Sequence, residues 1–373
     1  MKYLASSKLA KPVMSGYLPH VKNGTVKGAH NKILKACRSV PPAGCGSALR
    51  VREPLIATGY SMPKLRLLLG IFIAVLFLMP DGSQAALRIG VLPASDSLAL
   101  HVAKDEGLFA EHGLKVELIP FQSALEQSAA LRSKAIQGWF TDPIIMLSMH
   151  ESGVPQHIIA TMGYSGPRSR FFGIAVPPGS TATSLESLGR AKTAISKTTI
   201  IEYVLDNMLE NRGLEREHLE RVDVRQISIR LQLLLSGKVD AAVLPEPLLS
   251  LVEAKGAKVV ADNTTLSMPL AITAISQGTL EAEQVQAFQT ALAEAMRRIN
   301  AEPETYKKVM LEKKLLPRDA EPLYKMLSYP PKRTPVPLPT EQELEHIAEW
   351  MVTVKLLRQM PEAWDMIYRP ARQ

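Results

Sequence analysis

From residue 86 onward, short apolar runs alternate with longer stretches whose apolar positions recur at helical spacing. The runs at 87–92, 115–121, 137–141, 157–162 and 171–176 read as strands. Helices over 98–109, 124–134 and 143–150 fall between them, and Pro143 suits a first helical turn, where its missing N–H costs nothing. A second set follows. Its strands are 192–195, 222–227, 239–244 and 258–261, with helices over 198–211, 228–235 and from 245 to 255. Thr183 and Glu186 stand at capping-box spacing and predict a short helix ahead of this set. The run at 270–275 reads as a strand returning to the first set. Beyond it the pattern is helical over 281–299, 302–311 and 319–327. A proline-rich stretch at 329–339 interrupts it, and a last helix over 341–357 starts at Thr340 and Glu343, again at capping-box spacing.

Strand–helix alternation predicts largely parallel sheets covered by helices. Two consecutive sets with one late return strand predict two α/β lobes. Residues 86–176 with 264–373 form the first and 177–263 the second, and Pro177-Pro178-Gly179-Ser180 has the composition of a crossover. Ligands of open α/β sheets bind beyond the carboxyl ends of the strands, so two facing lobes imply a cleft between them that closes about a hinge.

Charge sharpens the boundary near residue 86. The chain carries a net charge of +8, which by itself suggests a nucleic-acid or membrane partner. Residues 1–85 hold twelve Lys and Arg against two acids, a net +10, so the remaining 32 basic and 34 acidic residues give −2. The body has no charge reason to seek nucleic acid. Cys37 and Cys45 also lie in front, leaving the body without a disulfide, thiolate metal site or cysteine nucleophile. Met62, Lys64 and Arg66 precede an unbroken apolar run over 67–79, and Ser83-Gln84-Ala85 follows Pro80-Asp81-Gly82. That order is a secretory signal peptide over 62–85, cleaved near Ala85, and the run is shorter than the ~20 residues of a spanning helix. A leader beginning at residue 62 predicts that translation starts at Met62 and that residues 1–61 are a mis-assigned or disordered extension. The body is then expected outside the cytoplasm.

The body shows no G-x-S-x-G, Walker A or G-x-G-x-x-G motif, and its six histidines are scattered without metal-ligand spacing. No catalytic residue, metal site or cofactor is expected. The polar strand ends remain. Ser95 and Asp96 follow the first strand, either as ligand contacts or as a helix cap. Trp139 shares a strand face with Thr141 and is either an aromatic cleft wall or a core side chain. Thr141 and Asp142 end one strand where a helix begins. Ser196, Lys197, Thr198 and Thr199 stand at a helix N-terminus, a natural anion site. The opposing reading is that Thr199 and Glu202 cap that helix internally. Glu246, between Pro245 and Pro247, either neutralises a cationic group or starts a helix.

The stretches LFAEHGLKVELIPFQSALEQSAAL and IQGWFTDPI resemble the opening lobe of the nitrate, sulfonate, taurine and thiamine-precursor binding proteins of ABC importers. TSLESLGRAKTAISKTTIIEYVLDNMLENRGL and LLLSGKVDAAVLPEP resemble the second lobe. The likeness runs in order over roughly residues 87–275. It implies the type II periplasmic binding protein fold, an α/β architecture of two lobes with a double crossover hinge and an interlobe ligand cleft. It implies a monomer that captures a small, anionic or heterocyclic molecule in the periplasm. Delivery is to an inner-membrane permease with an ATPase partner. By position it implies ligand contacts at Ser95, Asp96, Thr141, Asp142, Tyr164, Ser165, Ser196, Thr198, Thr199 and Glu246. One departure is that Ile136-Gln137-Gly138-Trp139 replaces the usual Gly-x-Asp-Ala entry, which implies a differently shaped pocket. The alternative is an enzyme of the same fold in thiamine-pyrimidine or menaquinone precursor synthesis. The leader argues against it, and the yeast-type thiamine-precursor enzyme carries a cysteine-rich iron motif that this body lacks.

Overall fold

Ten strands pair into two five-stranded sheets of the same plan. The computed structural model describes residues 85–329, 336–361 and 364–369. The expected extension over 1–61 and the leader, up to Gln84, lie outside the described residues.

The first sheet contains β1 (Leu87–Val91), β2 (Val116–Pro120), β3 (Gly138–Thr141), β4 (Gln156–Tyr164) and β10 (Pro269–Ser276), in the order β2-β1-β3-β10-β4. The second contains β5 (Phe172–Val176), β6 (Lys192–Ile195), β7 (Glu220–Asp223), β8 (Ala241–Pro245) and β9 (Lys258–Asp262), in the order β7-β6-β8-β5-β9. The expected return of the strand near 270–275 to the first sheet is observed, and it lies between β3 and β4.

Two expectations are corrected. The sheets are mixed rather than largely parallel. β1 runs parallel to β2 and β3, and β6 runs parallel to β7 and β8. β10 is antiparallel to both its neighbours, and so is β5. The second correction explains the first. Residues 171–176 do not close the first lobe; Phe172–Val176 is the first strand of the second sheet to be laid down. The chain therefore crosses at residues 165–171, not at Pro177–Ser180, and crosses back at residues 263–268. Each crossing leaves from the carboxyl end of one sheet and enters the other at the same end. The first strand after a crossing must then run against its neighbours.

Helices pack on both faces of each sheet, so the central strands β1, β3, β6, β8 and β10 are largely buried, without alternation, while the edge strand β7 (Glu220–Asp223) is polar. All four residues of β3 are buried. Gly138 is required in β3, because a Cβ there would meet Ile89 Cδ1 at 2.7 Å and Ile275 Cγ2 at 2.8 Å. The expected helix over 98–109 is two helices, α1 (Leu98–Asp105) and α2 (Leu108–Glu111), divided at Gly107, whose φ is +77°. After β2 and β3 come α3 (Ala124–Arg132) and α4 (Pro143–Glu151). In the second lobe α5 (Ile200–Glu210), α6 (Ile227–Leu235) and α7 (Leu248–Ala254) follow β6, β7 and β8. α8 (Ala282–Ala301) and α9 (Pro303–Glu312) then pack on the first lobe, Phe288 stacking on Phe109 with ring centroids 4.8 Å apart.

Two further expectations change here. The helix over 319–327 is only a 3-10 turn at Arg318–Ala320, since Pro322 has no N–H to continue it. The helix expected from Thr183 is a 3-10 turn at Glu186–Leu188, entered through reciprocal Ser184 and Ser187 hydrogen bonds. The last helix, α10 (Glu341–Thr353), has the expected Thr340–Glu343 capping box. It joins the lobes. Leu344, Ile347, Ala348 and Met351 are buried, α10 packs on α4, and Trp350 donates its indole N–H to Asp206 Oδ2 of α5 at 2.7 Å.

Candidate functional site

Both crossings attach where the strands of both sheets end, which brings the polar strand ends beside the hinge. β1 delivers Ser95 and Asp96 through a 3-10 turn, Ser95–Ser97, all of it buried. β3 delivers Thr141 and Asp142. β4 runs parallel to β3, across the antiparallel β10, and delivers Gly163 and Tyr164 to the same end. In the second sheet β6 delivers Ser196, β8 delivers Glu246, and the start of β5 places Arg170 and Phe171 beside it, with Phe172 opposite Pro245.

The hinge segments are stitched together. Ser165 donates its N–H to Met268 O at 3.0 Å, and its Oγ accepts from Met268 N–H at 3.0 Å. At the other end Asn263, fully buried, accepts from Phe171 N–H and Phe172 N–H, each at 3.0 Å. Ser165, expected from the resemblance as a ligand contact, is thus engaged in the hinge. Tyr164 donates its hydroxyl to Glu343 Oε1 at the start of α10.

Several expected residues are committed to capping. Asp142 accepts from Ile145 N–H at 2.9 Å; burial raises its pKa to about 6, and the N–H groups of Ile145 and Ile144 oppose the shift. At the anion site expected over Ser196–Thr199, Thr199 Oγ1 accepts from Ile201 N–H at 3.2 Å. Glu202 Oε2 accepts from Thr198 N–H at 2.6 Å. The capping reading therefore describes this segment: Glu202 takes Thr198 N–H, Asp223 takes Lys197 N–H and the Thr199 hydroxyl takes Ile201 N–H. Trp139 is fully buried and donates to Gln156 Oε1 at 2.6 Å, which makes it a core side chain and not a cleft wall.

Five residues absent from the sequence reading belong to the centre: Arg170, Ser250, Glu253, Tyr324 and Tyr329. Arg170 donates its Nε–H to Glu246 Oε1 at 2.7 Å and bridges to Glu253 at 2.8 Å. Ser250 also donates to Glu246, from both N–H and Oγ–H. Burial raises the Glu246 pKa, and Arg170 and Ser250 pull against it. Tyr329 donates its hydroxyl to Asp96 O at 3.2 Å. Tyr324 lies against Ser95, feels the charges of both Asp96 and Glu246, and its buried hydroxyl meets no partner in hydrogen-bond geometry. Tyr324 thus lies within electrostatic reach of Asp96 of the first lobe and Glu246 of the second. Its signal in the sequence was weak: two tyrosines in a segment that reads as helix and loop, more than 200 residues from Asp96.

Asp96 itself is 8 % exposed, with no ion pair and no side-chain hydrogen-bond partner among the described residues. Burial raises its pKa to about 7, opposed by its own backbone N–H. Arg230 is a second unsatisfied charge. It is fully buried on α6, donates from Nη1 to Val224 O at 2.8 Å, and leaves Nε and Nη2 without partners. Burial lowers its pKa to about 10, and Asp223 opposes that. Among the described residues no group of three or more His, Cys, Asp or Glu is placed to hold a metal ion. Two surface cavities, of about 410 and 450 Å³, lie at the C-terminal tail beside His157 and His150 and contain none of the expected site residues.

The model of the NMT1/THI5-like family matches residues 94–306, more than half of the chain, and so spans both crossings and every strand but β1. The chain belongs to this family. Solved structures carry the same fold. The periplasmic aliphatic sulphonate binding protein SsuA from Escherichia coli is 18% identical, with a TM-score of 0.65 over 78% of this chain and 94% of that one. The alkanesulfonate-binding protein SsuA from Xanthomonas axonopodis pv. citri, bound to MOPS, is 19% identical, with a TM-score of 0.63 over 78% and 100%. The ligand binding component of an ABC-type import system from Staphylococcus aureus, with zinc bound, is 17% identical, with a TM-score of 0.60 over 77% and 97%. No curated protein matches the sequence. As an NMT1/THI5-like protein the chain has the two-lobed α/β fold of periplasmic binding proteins. No helix among the described residues is long and apolar enough to cross a membrane.

Proposed function

We propose that this NMT1/THI5-like protein is the solute-binding component of an ABC importer. It works outside the cytoplasm and captures a small molecule between its two lobes by hinge closure. It then presents the closed form to a permease with an ATPase partner. The observation that carries this reading is the convergence at the hinge. Asp96 of the first lobe and Glu246 of the second act electrostatically on one buried phenol, Tyr324, whose hydroxyl lies beside Ser95 and meets no partner in hydrogen-bond geometry. Buried polar groups are nearly always hydrogen-bonded, and an unsatisfied set at the meeting point of two lobes is where a ligand completes the bonding. The similarity to the sulphonate-binding proteins of Escherichia coli and Xanthomonas supports the transport role.

The test is a thermal-shift screen of the purified protein against sulfonates, nitrate, pyrimidines, amines and amino-acid derivatives. A ligand at 100 times its Kd stabilises the folded state by about 2.7 kcal/mol, a rise of a few degrees. At least one compound is expected to give a saturable rise without being consumed. Turnover of a compound would overturn the transport reading in favour of an enzyme on this fold, and silence across the whole panel would remove the small-molecule site.

A further inference from the structure

The charge distribution at this site narrows the ligand beyond the solute-binding reading on which it rests. An oxyanion needs free N–H groups or free cations. At the carboxyl ends of β3, β6 and β8 the helix N-termini are occupied by the protein's own acids, while α6, after β7, has no side-chain cap. Asp142 caps α4, Glu202 takes Thr198 N–H ahead of α5, and Glu246 takes Ser250 N–H in α7. In α3, Ser123 caps Glu126 N–H while Glu126 accepts from Gln122 N–H. Arg170, the cation of the hinge, is bound by two carboxylates, Glu246 and Glu253. Arg230 has Asp223 as its charged neighbour, and its Nε and Nη2 are without partners.

Asp96 is the converse case. Its carboxylate is more than nine-tenths buried and has no cation. It packs against the bare backbone of Gly163, where a Cβ would come within 2.9 Å of both Asp96 Oδ2 and Phe171 Cε1. The wall around it is aromatic: Phe171 from the hinge, with Tyr324 and Tyr329 from the C-terminal segment. A lone buried carboxylate beside an unpartnered hydroxyl and aromatic rings lacks one component, a positively charged donor. We propose that the cleft takes a small organic ammonium ion, its N–H groups donating to the Asp96 carboxylate and the Tyr324 hydroxyl. A sulfonate would instead be a further negative group beside two acids, Asp96 and Glu246, and would have to draw on Lys197 or on the unpartnered Nε and Nη2 of Arg230 to offset them.

The experiment is isothermal titration calorimetry of the purified full chain near pH 8, where Asp96 is ionised. Ethylammonium, benzylammonium and butane-1,4-diammonium chlorides are compared with sodium ethanesulfonate, sulfate and nitrate. Saturable single-site binding of at least one ammonium ion is expected. Asp96→Asn is expected to weaken it about tenfold or more, and Tyr324→Phe about threefold, in proportion to the hydrogen bonds removed. Tyr324→Phe also keeps the assignment testable if Asp96→Asn fails to fold. Binding of ethanesulfonate but of no ammonium ion, lost in Lys197→Met and retained in Asp96→Asn, would overturn the ammonium assignment and leave the solute-binding reading standing. Ammonium binding that neither Asp96→Asn nor Tyr324→Phe weakens would overturn the placement at Asp96. No heat with any ammonium ion overturns the proposal, whereas the solute-binding reading falls only if the wider panel is also silent.

Discussion

Asp96 is held where its charge is unwelcome, and the cost is expected to appear in the pH dependence of stability. Its carboxyl titrates near 4 in an unfolded chain and is raised to about 7 in the fold. Between those values the folded state holds a proton that the unfolded state has released, so stability falls as pH rises from about 4 to 7. Three pKa units correspond to on the order of 4 kcal/mol. Asp96→Asn removes the charge at nearly constant shape. It is expected to stabilise the protein by about 2–4 kcal/mol near pH 8 and by little near pH 4, measured by urea unfolding at both. Equal effects at both pH values would show that the carboxylate is not buried as a charge. A gain in stability on removing a polar group is the usual mark of a residue kept for binding. Asp96 was legible in the sequence as a polar residue at a strand end, but its isolation was not. Isolation depends on Gly163, Phe171, Tyr324 and Tyr329, which arrive from other elements.

Among the elements, the caps were the most legible part of the chain. Thr340 and Glu343 act within four residues of each other, so local sequence is enough to place that cap, whereas Asp142, read as a ligand contact, caps α4. Strand membership was less so. Residues 171–176 have the composition of a buried strand in either sheet, and only pairing with β8 and β9 decides which. The link from the hinge to β8 was invisible for the same reason, since Arg170 and Glu246 lie 76 residues apart. It is testable as a pair. Arg170→Met strands a buried carboxylate and is expected to cost about 3–5 kcal/mol. Glu246→Gln in that background is expected to return at least half of the loss, because the charge left unpaired is gone. Denaturant unfolding of the two single variants and the double variant measures the coupling. Strict additivity would show that the ion pair does not hold the hinge to β8.

For the whole molecule, hinge closure needs two segments that bend together while each lobe stays rigid. Sequence pattern gave the number of lobes but not the crossing points, because a crossing is defined by which sheet each flanking strand joins. The structure puts the joint between Ser165 and Met268 at one end and Asn263 and Phe171 at the other. Asn263 is the stronger stitch. One buried carbonyl oxygen satisfies two N–H groups, those of Phe171 and Phe172, and Ala at this position leaves both without a partner. Each orphaned buried donor costs about 1–3 kcal/mol, so Asn263→Ala, which orphans two, is expected to destabilise by about 2–6 kcal/mol. Ser165→Ala also loses a buried acceptor, but for a single N–H, and is expected to cost about 1–2 kcal/mol. The larger consequence is geometric. With Asn263 gone, the start of β5 is no longer tied to the returning segment, and the two lobes lose a fixed pivot. Small-angle scattering is expected to show a broader distribution of interatomic distances for Asn263→Ala than for the parent protein, at a temperature where both remain folded. An unchanged distribution together with the full loss of stability would make Asn263 a core hydrogen-bonding residue with no part in setting the hinge.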